Sequence, residues 1–276
     1  MHFLKLTMIS MSLAGLTACG GSVNSPNETY YEFQNTGPVT SQLTGRAFGY
    51  SDAVRIVVGN GPAAGTLQHD TGAITLQSPG GSLSDADGVD GNGDLVDDNN
   101  TPNAQTIATL GDDAYTGTYN FVRPFSQSFL GQTFGLGAVG FVGMATNATD
   151  IPVTGTATFA GEAHGSTQTT GNWIAAPATI STNFTTGTVD VLTANTAGSV
   201  TEGISVTGMT IAGNEFSGGN FSVTHNNAVV DGTSFGTLAN GMFYGYDTGT
   251  GGPDEVGVLL SHAGADASGA LTILAD

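Results

Sequence analysis

Basic residues are almost absent from this chain of 276 residues. Four Lys and Arg stand against 23 Asp and Glu, the formal net charge is −19, and no Lys or Arg follows Arg123. Such a charge repels phosphate backbones and anionic lipid headgroups, so nucleic-acid binding and electrostatic docking to membranes are excluded as functions. Two interpretations of the charge remain, which are solubility and attraction of a cationic partner.

Cysteine is equally scarce, because Cys19 is the only one and no disulfide can form within the chain. It lies in Leu16-Thr17-Ala18-Cys19-Gly20, directly after an apolar stretch that contains one cation, Lys5. A stretch of this length is too short to span a bilayer and is typical of a secretory signal peptide. The ending resembles the lipobox of bacterial lipoproteins, which predicts a signal peptide over 1–18 and lipidation of Cys19. A free or buried thiol is the alternative.

Signatures of catalysis are missing as well. The chain contains no Gly-x-Ser-x-Gly elbow, phosphate-binding loop or dinucleotide fingerprint, and we therefore predict no enzyme activity. Two Asp-Thr-Gly triplets begin at Asp70 and Asp247, and they resemble the loops of pepsin-like proteases, where two carboxylates activate water. The second triplet is typical of a turn between strands, so an aspartic protease is a remote alternative.

Strong helix formers are few, whereas 43 glycines and many Thr, Val and Ala residues favour short strands joined by turns. Residues 19–38 predict a flexible tether, and residues 39–130 predict a small, loop-rich β region. Over residues 131–276 strand patterns recur at short intervals, which predicts an all-β fold with an antiparallel barrel or sandwich. The predicted strands are 134–145, 155–164, 178–184, 188–193, 204–211, 215–224, 236–246, 255–261 and 270–274.

Alternation along the strand at 155–164 supports this prediction, because successive side chains of a strand point to opposite faces. One face collects small and apolar residues and the other mainly polar ones, namely Ala157, Phe159, Gly161 and Ala163 against Thr156, Thr158, Glu162 and His164. The first face is predicted to be core and the second to be wet. Small residues on the core face permit the curvature of a small closed barrel.

Several motifs in residues 131–276 resemble the barrel domain of the transferrin-binding protein B family. They are the strand at 155–165, the segment 215–221, and the pair Gly-Met-Phe-Tyr-Gly at 241–245 and Asp-Glu-Val-Gly at 254–257. The resemblance implies an eight-stranded antiparallel barrel beside a smaller handle sheet at 39–130. It also implies a lipid-anchored protein at the outer membrane of a Gram-negative cell, binding a partner protein or an iron- or haem-bearing ligand. The alternative is a structural or adhesive surface lipoprotein without a nutrient ligand.

An acidic loop is a candidate calcium site. Calcium prefers oxygen ligands, and alternating Asp, Asn and Gly can wrap around it, although the order here differs from that of an EF-hand. A calcium loop that stiffens the domain and a solvated acidic loop are both open interpretations. The candidate ligands are Asp85, Asp87, Asp90, Asn92, Asp94, Asp97 and Asp98.

Histidines and aromatic residues complete the candidates. The histidines after the predicted signal peptide have no metal-ligand spacing, so we expect them at surface or strand-end positions; they are His69, His164, His225 and His262. Binding surfaces often expose aromatic rings. We therefore predict partner contacts at Trp173, in a segment bounded by Gly and Pro, and at Phe125, near the junction of handle and barrel. Packing at a barrel end or between domains is the alternative for both.

Overall fold

The computed structural model describes residues 40–51, 56–68, 74–78, 81–84, 105–109, 119–129, 132–167, 173–193, 202–245 and 251–276, and these residues form an all-β structure. Among them, no helix is long and apolar enough to cross a membrane. The strands are β1 (Thr40–Ser51), β2 (Ile56–Gln68), β3 (Ile74–Ser78), β4 (Gly81–Ser84), β5 (Gln105–Thr109), β6 (Tyr119–Phe129), β7 (Gln132–Gly143), β8 (Thr156–Thr167), β9 (Trp173–Asn183), β10 (Thr188–Thr193), β11 (Glu202–Ala212), β12 (Glu215–Ser217), β13 (Asn220–His225), β14 (Ala228–Val230), β15 (Gly236–Tyr244), β16 (Glu255–Ala263) and β17 (Ser268–Ala275).

The first seven strands form an antiparallel sheet, the handle sheet, in the order β4-β3-β2-β1-β7-β6-β5. The sequence pattern assigns residues 134–145 to the barrel, whereas β7 is hydrogen-bonded to β1 and β6 of the handle sheet. Phe129 pairs with Gln132, so a two-residue connection ties β7 to β6 as a hairpin. A boundary at residue 130 therefore divides that hairpin, and the first barrel strand is β8.

The remaining strands form a closed antiparallel barrel. Pairing runs through β10-β9-β8-β17-β16-β15-β12-β11, and β10 also pairs with β11, which closes the ring. β12 and β13 act as one strand interrupted at Gly218 and Gly219, whose φ angles are 80° and 96°, a conformation that favours glycine. Counted in this way, the barrel has eight strands. The predicted all-β fold with an eight-stranded antiparallel barrel is confirmed.

Side chains fill the barrel interior. Phe159 and Ala163 of β8 are buried there, whereas Thr158 and Glu162 on the other face are exposed, as the alternation predicts. The interior cluster also contains the large residues Ile180, Phe184, Met209, Phe216, Phe243, Leu260, Leu271 and Ile273. An eight-stranded barrel is just wide enough for side chains to fill it, and this one has a packed core.

The handle sheet packs on one wall of the barrel. Every residue of β16 and β17 is buried, because one face of these strands points into the barrel and β1, β6 and β7 cover the other. The second face contributes to a separate apolar cluster of Phe48, Val139, Phe141, Met242, Tyr244, Leu259, Ala270 and Leu274. The opposite wall, formed by β10, β11, β13 and β14, is hereafter the far wall. On it β10 alternates between buried and exposed residues, so its outer face meets solvent.

Candidate functional site

Two of the motifs that resemble transferrin-binding protein B meet where the handle sheet contacts the barrel. A Cβ on Gly257 would lie 2.6 Å from Phe141 Cδ2 and 2.9 Å from Tyr244 Cε2, so glycine leaves room for both rings. These rings pack edge to face, with centroids 5.8 Å apart and planes at 77°. The Tyr244 hydroxyl donates a hydrogen bond of 2.9 Å to the carbonyl oxygen of Thr44 in β1.

An ion pair lies at the edge of the same junction. Arg46 Nη2 of β1 is 2.5 Å from Glu215 Oε2 of β12, and both side chains are partly exposed. Burial raises the pKa of the Tyr244 hydroxyl well above its usual range, with the nearby Glu215 carboxylate adding to the shift. Tyr244 therefore stays a neutral donor, and its hydrogen bond to Thr44 links the barrel to the handle sheet. The contacts of the motif residues Tyr244 and Gly257 thus hold the barrel against the handle sheet.

The two ends of the barrel differ. One end, the turn end, carries the short connections at 184–187 and 213–214 together with Asp276. The other, the hairpin end, carries the β13–β14 hairpin, the loop 231–235 and the turn 264–267. Asn226 and Asn227 at the tip of the hairpin have φ angles of 50° and 62°, which is the pattern of a type I′ turn, the connection that suits strand twist. The hairpin end thus presents a β-hairpin beside a loop and a turn.

Asp231 anchors the loop at the hairpin end. Its Oδ1 accepts hydrogen bonds from the backbone N–H groups of Thr233 (3.1 Å) and Ser234 (3.0 Å). Its carbonyl oxygen accepts one from the N–H of Asp266, at 3.2 Å, in the neighbouring turn. The hydrogen bond from Thr233, then that from Ser234, lower the pKa of the Asp231 carboxyl. The loop therefore carries a fixed, ionised carboxylate.

His262 lies beneath this loop. It shares the inward face of β16 with Val258 and Leu260, it is 1% exposed, and neither ring nitrogen has a hydrogen-bond partner among the described residues. A Cβ on Gly232 would lie 3.2 Å from His262 Cδ2, so the loop rests directly on the ring. Burial lowers the pKa of His262 to about 4. His262 is near the end of its strand, as the sequence predicts, but its side chain belongs to the core.

Exposed large apolar side chains lie on the far wall and at both ends of the barrel. Four large ones are exposed among the described residues. Leu192 (58% exposed) and Val229 (76%) lie on the far wall, and Phe235 (66%) lies in the loop at the hairpin end. Val153 (83%) precedes β8 at the turn end. Single exposed apolar residues are ordinary, but a group that shares one surface marks a candidate interaction site.

The two predicted aromatic contacts lie on strands that lead to the hairpin end. Trp173 is the first residue of β9 and pairs with Ser166 near the end of β8. Phe125 of β6 pairs with Leu136 of β7. In β7, Phe141 lies against Gly257 and Gly140 accepts a hydrogen bond of 3.0 Å from Thr272. Residues of β7 with lower numbers than these therefore lie nearer the hairpin end. Their side chains are outside the described part of the structure, and partner contact stays a prediction for both.

Other predicted site residues are not described. Cys19, the tether, Asp70, His69, Asp247 and the candidate calcium ligands Asp85, Asp87, Asp90, Asn92, Asp94, Asp97 and Asp98 lie outside the described residues. Within the described ranges, no group of three or more His, Cys, Asp and Glu side chains could hold a metal ion. His164 approaches a carboxylate, with Nε2 3.3 Å from Glu162 Oε2 on the outer face of β8. Burial lowers the pKa of His164, against the attraction of Glu162.

The fold defines an all-β protein in which a closed eight-stranded antiparallel barrel carries a seven-stranded sheet on one wall. Neither a family model nor a curated protein matches the chain. Similar solved structures are those of transferrin-binding protein B, the family that the sequence motifs resemble.

A mutant of transferrin-binding protein B from Haemophilus parasuis Hp5 is 13% identical, with a TM-score of 0.36, and the match covers 78% of this chain and 51% of that one. For the isotype 1 protein of serogroup B Neisseria meningitidis, the identity is 14%, the TM-score 0.38 and the coverage 78% and 50%. The chain thus spans about half the length of these two proteins. An intact transferrin-binding protein B with N and C lobes is 13% identical, with a TM-score of 0.36, and the match covers 87% of this chain and 77% of that one.

Proposed function

We propose that this chain is a lipid-anchored surface protein of a Gram-negative outer membrane that binds a partner protein through the far wall and the hairpin end. The exposed Leu192 and Val229 carry the proposal, because they supply apolar contact area on the side that the handle sheet leaves uncovered. Phe235 adds an exposed ring at the hairpin end. Buried apolar anchors contribute most of the binding energy in protein interfaces. Capture of an iron- or haem-bearing protein is one role that such a surface can serve.

The packed interior favours a protein partner over an enclosed small ligand. Barrels that hold a ligand inside keep an open cavity between their strands. Here Phe216 and Phe243 tilt against each other with ring centroids 5.0 Å apart, and Phe184 approaches Phe243 at 5.9 Å. Opening a cavity among such side chains would remove buried aromatic contacts worth several kcal/mol. The outer surface therefore offers the better binding site.

Anchoring depends on Cys19. We expect Cys19→Ser to abolish incorporation of a radiolabelled fatty acid and to leave the precursor uncleaved, because the thiol is the group that a lipoprotein pathway acylates. Labelling and mass are measured on the full chain expressed in a Gram-negative host. Ser22→Ala, close to the same site, is the control and should be labelled normally. Equal labelling of Cys19→Ser and the unaltered chain would contradict the anchor.

Binding through the far wall can be tested with a photo-crosslinking residue. p-Benzoylphenylalanine at Val229 should give a crosslinked adduct of discrete mass when cells carrying the protein meet partner-containing extracellular fluid. The same residue at Val153, which is equally exposed but lies at the turn end, should not give that adduct. Val229→Arg should also reduce binding of the crosslinked species at least tenfold, since it removes an apolar contact and buries a charge. Equal adducts at both positions would overturn the proposed surface.

A further inference from the structure

Exposed carboxylates accompany the apolar residues of the proposed surface. Asp190 lies two residues before Leu192 on the outer face of β10. Asp231 directly follows β14, which carries Val229, and its backbone is bonded to Asp266. All three aspartates are exposed. The far wall and its rim thus combine apolar and negatively charged side chains.

The strand register shows what lies between the apolar residues. Leu192 pairs with Ser205 in β11, Ser205 pairs with Ser222 in β13, and Val229 pairs with Thr224. Neighbouring strands are about 4.8 Å apart, so three strand spacings separate Leu192 from Val229 by roughly 15 Å. Small hydroxyl side chains fill this interval. The small side chains leave a shallow depression between Leu192 and Val229. A depression of this kind suits an extended or flat segment of a partner.

Backbone donors hold the three carboxylates in place. Asp190 Oδ1 accepts a hydrogen bond of 2.7 Å from the N–H of Gly208. Asp231 Oδ1 accepts from Thr233 and Ser234, and Asp266 Oδ2 accepts from the N–H of Asp231 at 3.4 Å. Fixed charges lose little conformational entropy when a partner binds. They are arranged before any partner arrives.

The barrel supplies no cation to neutralise these carboxylates. The sequence has no Lys or Arg after Arg123, so none lies on any barrel strand. Arg46 of the handle sheet is already paired with Glu215, which begins β12 next to the turn end. The negative potential of this surface is therefore directed at solvent.

We infer that the partner bound by the proposed surface presents a basic segment, with Lys or Arg flanking an apolar side chain. The inference rests on the proposed function and names the class of its partner. The apolar side chain packs between Leu192 and Val229, while the cations face Asp190, Asp231 and Asp266. A second copy of this chain is disfavoured as occupant, because a symmetric contact would bring the same carboxylates together. Anionic lipids and nucleic acids are repelled for the same reason.

Random dodecapeptides displayed on phage provide the probe. They are selected on the immobilised full chain at pH 7, and a selected peptide is synthesised and titrated by calorimetry at 50 and 500 mM NaCl. We expect the selected sequences to contain at least two Lys or Arg beside an aromatic or aliphatic residue. Asp190→Asn with Asp231→Asn should weaken the peptide about fivefold in low salt, with the difference shrinking in high salt. Asn keeps the hydrogen-bond acceptor at both positions.

A matched double variant removes the same charge elsewhere. Asp150→Asn with Asp276→Asn lies at the turn end and should change affinity less than twofold, because neither carboxylate belongs to the proposed surface. Asp190→Asn with Asp266→Asn repeats the test without altering the Asp231 turn. Equal weakening by the Asp190/Asp231 and the Asp150/Asp276 variants, or selected peptides without basic residues, would overturn the basic partner. If Val229→Arg leaves peptide affinity unchanged, the proposed surface itself fails, whatever the peptide charge.

Discussion

Acidification from pH 7 to pH 4 is expected to lower the free energy of unfolding by about 3 kcal/mol through His262 alone. The pKa of His262 is lowered to about 4 by burial, whereas in the unfolded chain it is near 6.5. Because the folded-state pKa is the lower one, the full contribution to stability is present above pH 6.5. It is lost as the pH falls through 6.5 towards 4, since the unfolded chain binds the proton first.

Among the described residues, no charged group compensates a protonated His262. Its register partners are Thr237 in β15 and Gly269 in β17, and neither can be charged. In the loop and turn above it, the Asp231 and Asp266 carboxylates are exposed and bonded to backbone N–H groups instead. Desolvation is accordingly the one cause of the shift. Protonation would require hydration of the ring, which the loop over Gly232 prevents while it stays in place.

Urea unfolding at pH 7.5, 5.5 and 4.5 measures the effect. The unaltered chain should lose stability more steeply than His262→Leu as the pH falls, so the difference in free energy of unfolding between the two chains should change with pH. His225→Gln changes a partly exposed histidine at the same end and should keep the steep slope. Carboxylates contribute equally to all three chains, so the difference isolates His262. Parallel curves for the unaltered chain and His262→Leu would contradict the prediction.

The same titration affects the proposed binding surface. Gly232 and Phe235 belong to the loop that covers His262, and the Phe235 N–H is bonded to the Ala263 carbonyl oxygen at 2.9 Å. Hydrating His262 must displace this loop before it disturbs the rest of the barrel. Local opening of this kind needs less free energy than global unfolding. The hairpin end is thus the part of the barrel most sensitive to acid.

Alternation along single strands made the barrel predictable from the sequence. β8 separates its inward Phe159 and Ala163 from outward Thr158 and Glu162, and such a period of two survives in any context. β7 shows a similar strand pattern, and nothing in that pattern reveals its partners. Only its short hairpin with β6 decides that it joins the handle sheet. Pairing is a property of two segments, so the pattern of β7 alone assigns this strand to the barrel although it pairs with β1 and β6 of the handle sheet.

Burial of both faces of β16 depends on a distant segment. Val258 points into the barrel while Leu259 packs in the apolar cluster beneath the handle sheet. Consecutive apolar residues in the sequence are compatible with a strand that is buried on both faces, but they do not indicate which segment covers the second face. The depth of His262 likewise depends on the loop 231–235, some thirty residues earlier in the chain. Candidate residues were therefore visible in the sequence, whereas their environments were set by long-range packing.

The glycines of the recognised motifs illustrate the same difference. Gly241 and Gly257 were visible as part of a pattern, but their role follows from what each missing side chain would meet. Gly257 makes room for Phe141 of the handle sheet. Gly241 lies under the ring of Phe216, its register partner in β12. An aromatic ring that covers a strand glycine fixes both strands.

Gly241→Ala should lower the free energy of unfolding by about 3 kcal/mol. A Cβ at this position would lie 2.0 Å from Phe216 Cζ and 2.1 Å from Cε2. Phe216 is 1% exposed and tilts at 50° against Phe243, so its ring cannot move without disturbing the interior. The sign is informative, because replacing a glycine in the middle of a strand by alanine ordinarily stabilises by about 0.5–1 kcal/mol.

A double-mutant cycle separates this clash from any other effect of the substitution. Phe216→Leu shortens the side chain above Gly241 and should itself destabilise the barrel by about 1 kcal/mol or more through lost packing. In the double variant the added methyl group meets a shorter side chain. The destabilisation caused by Gly241→Ala should therefore be smaller by about 1 kcal/mol or more than in the unaltered chain. Urea unfolding of all four chains at pH 7.5 gives the coupling free energy. Strictly additive effects, or a neutral Gly241→Ala, would show that Phe216 does not require glycine beneath it.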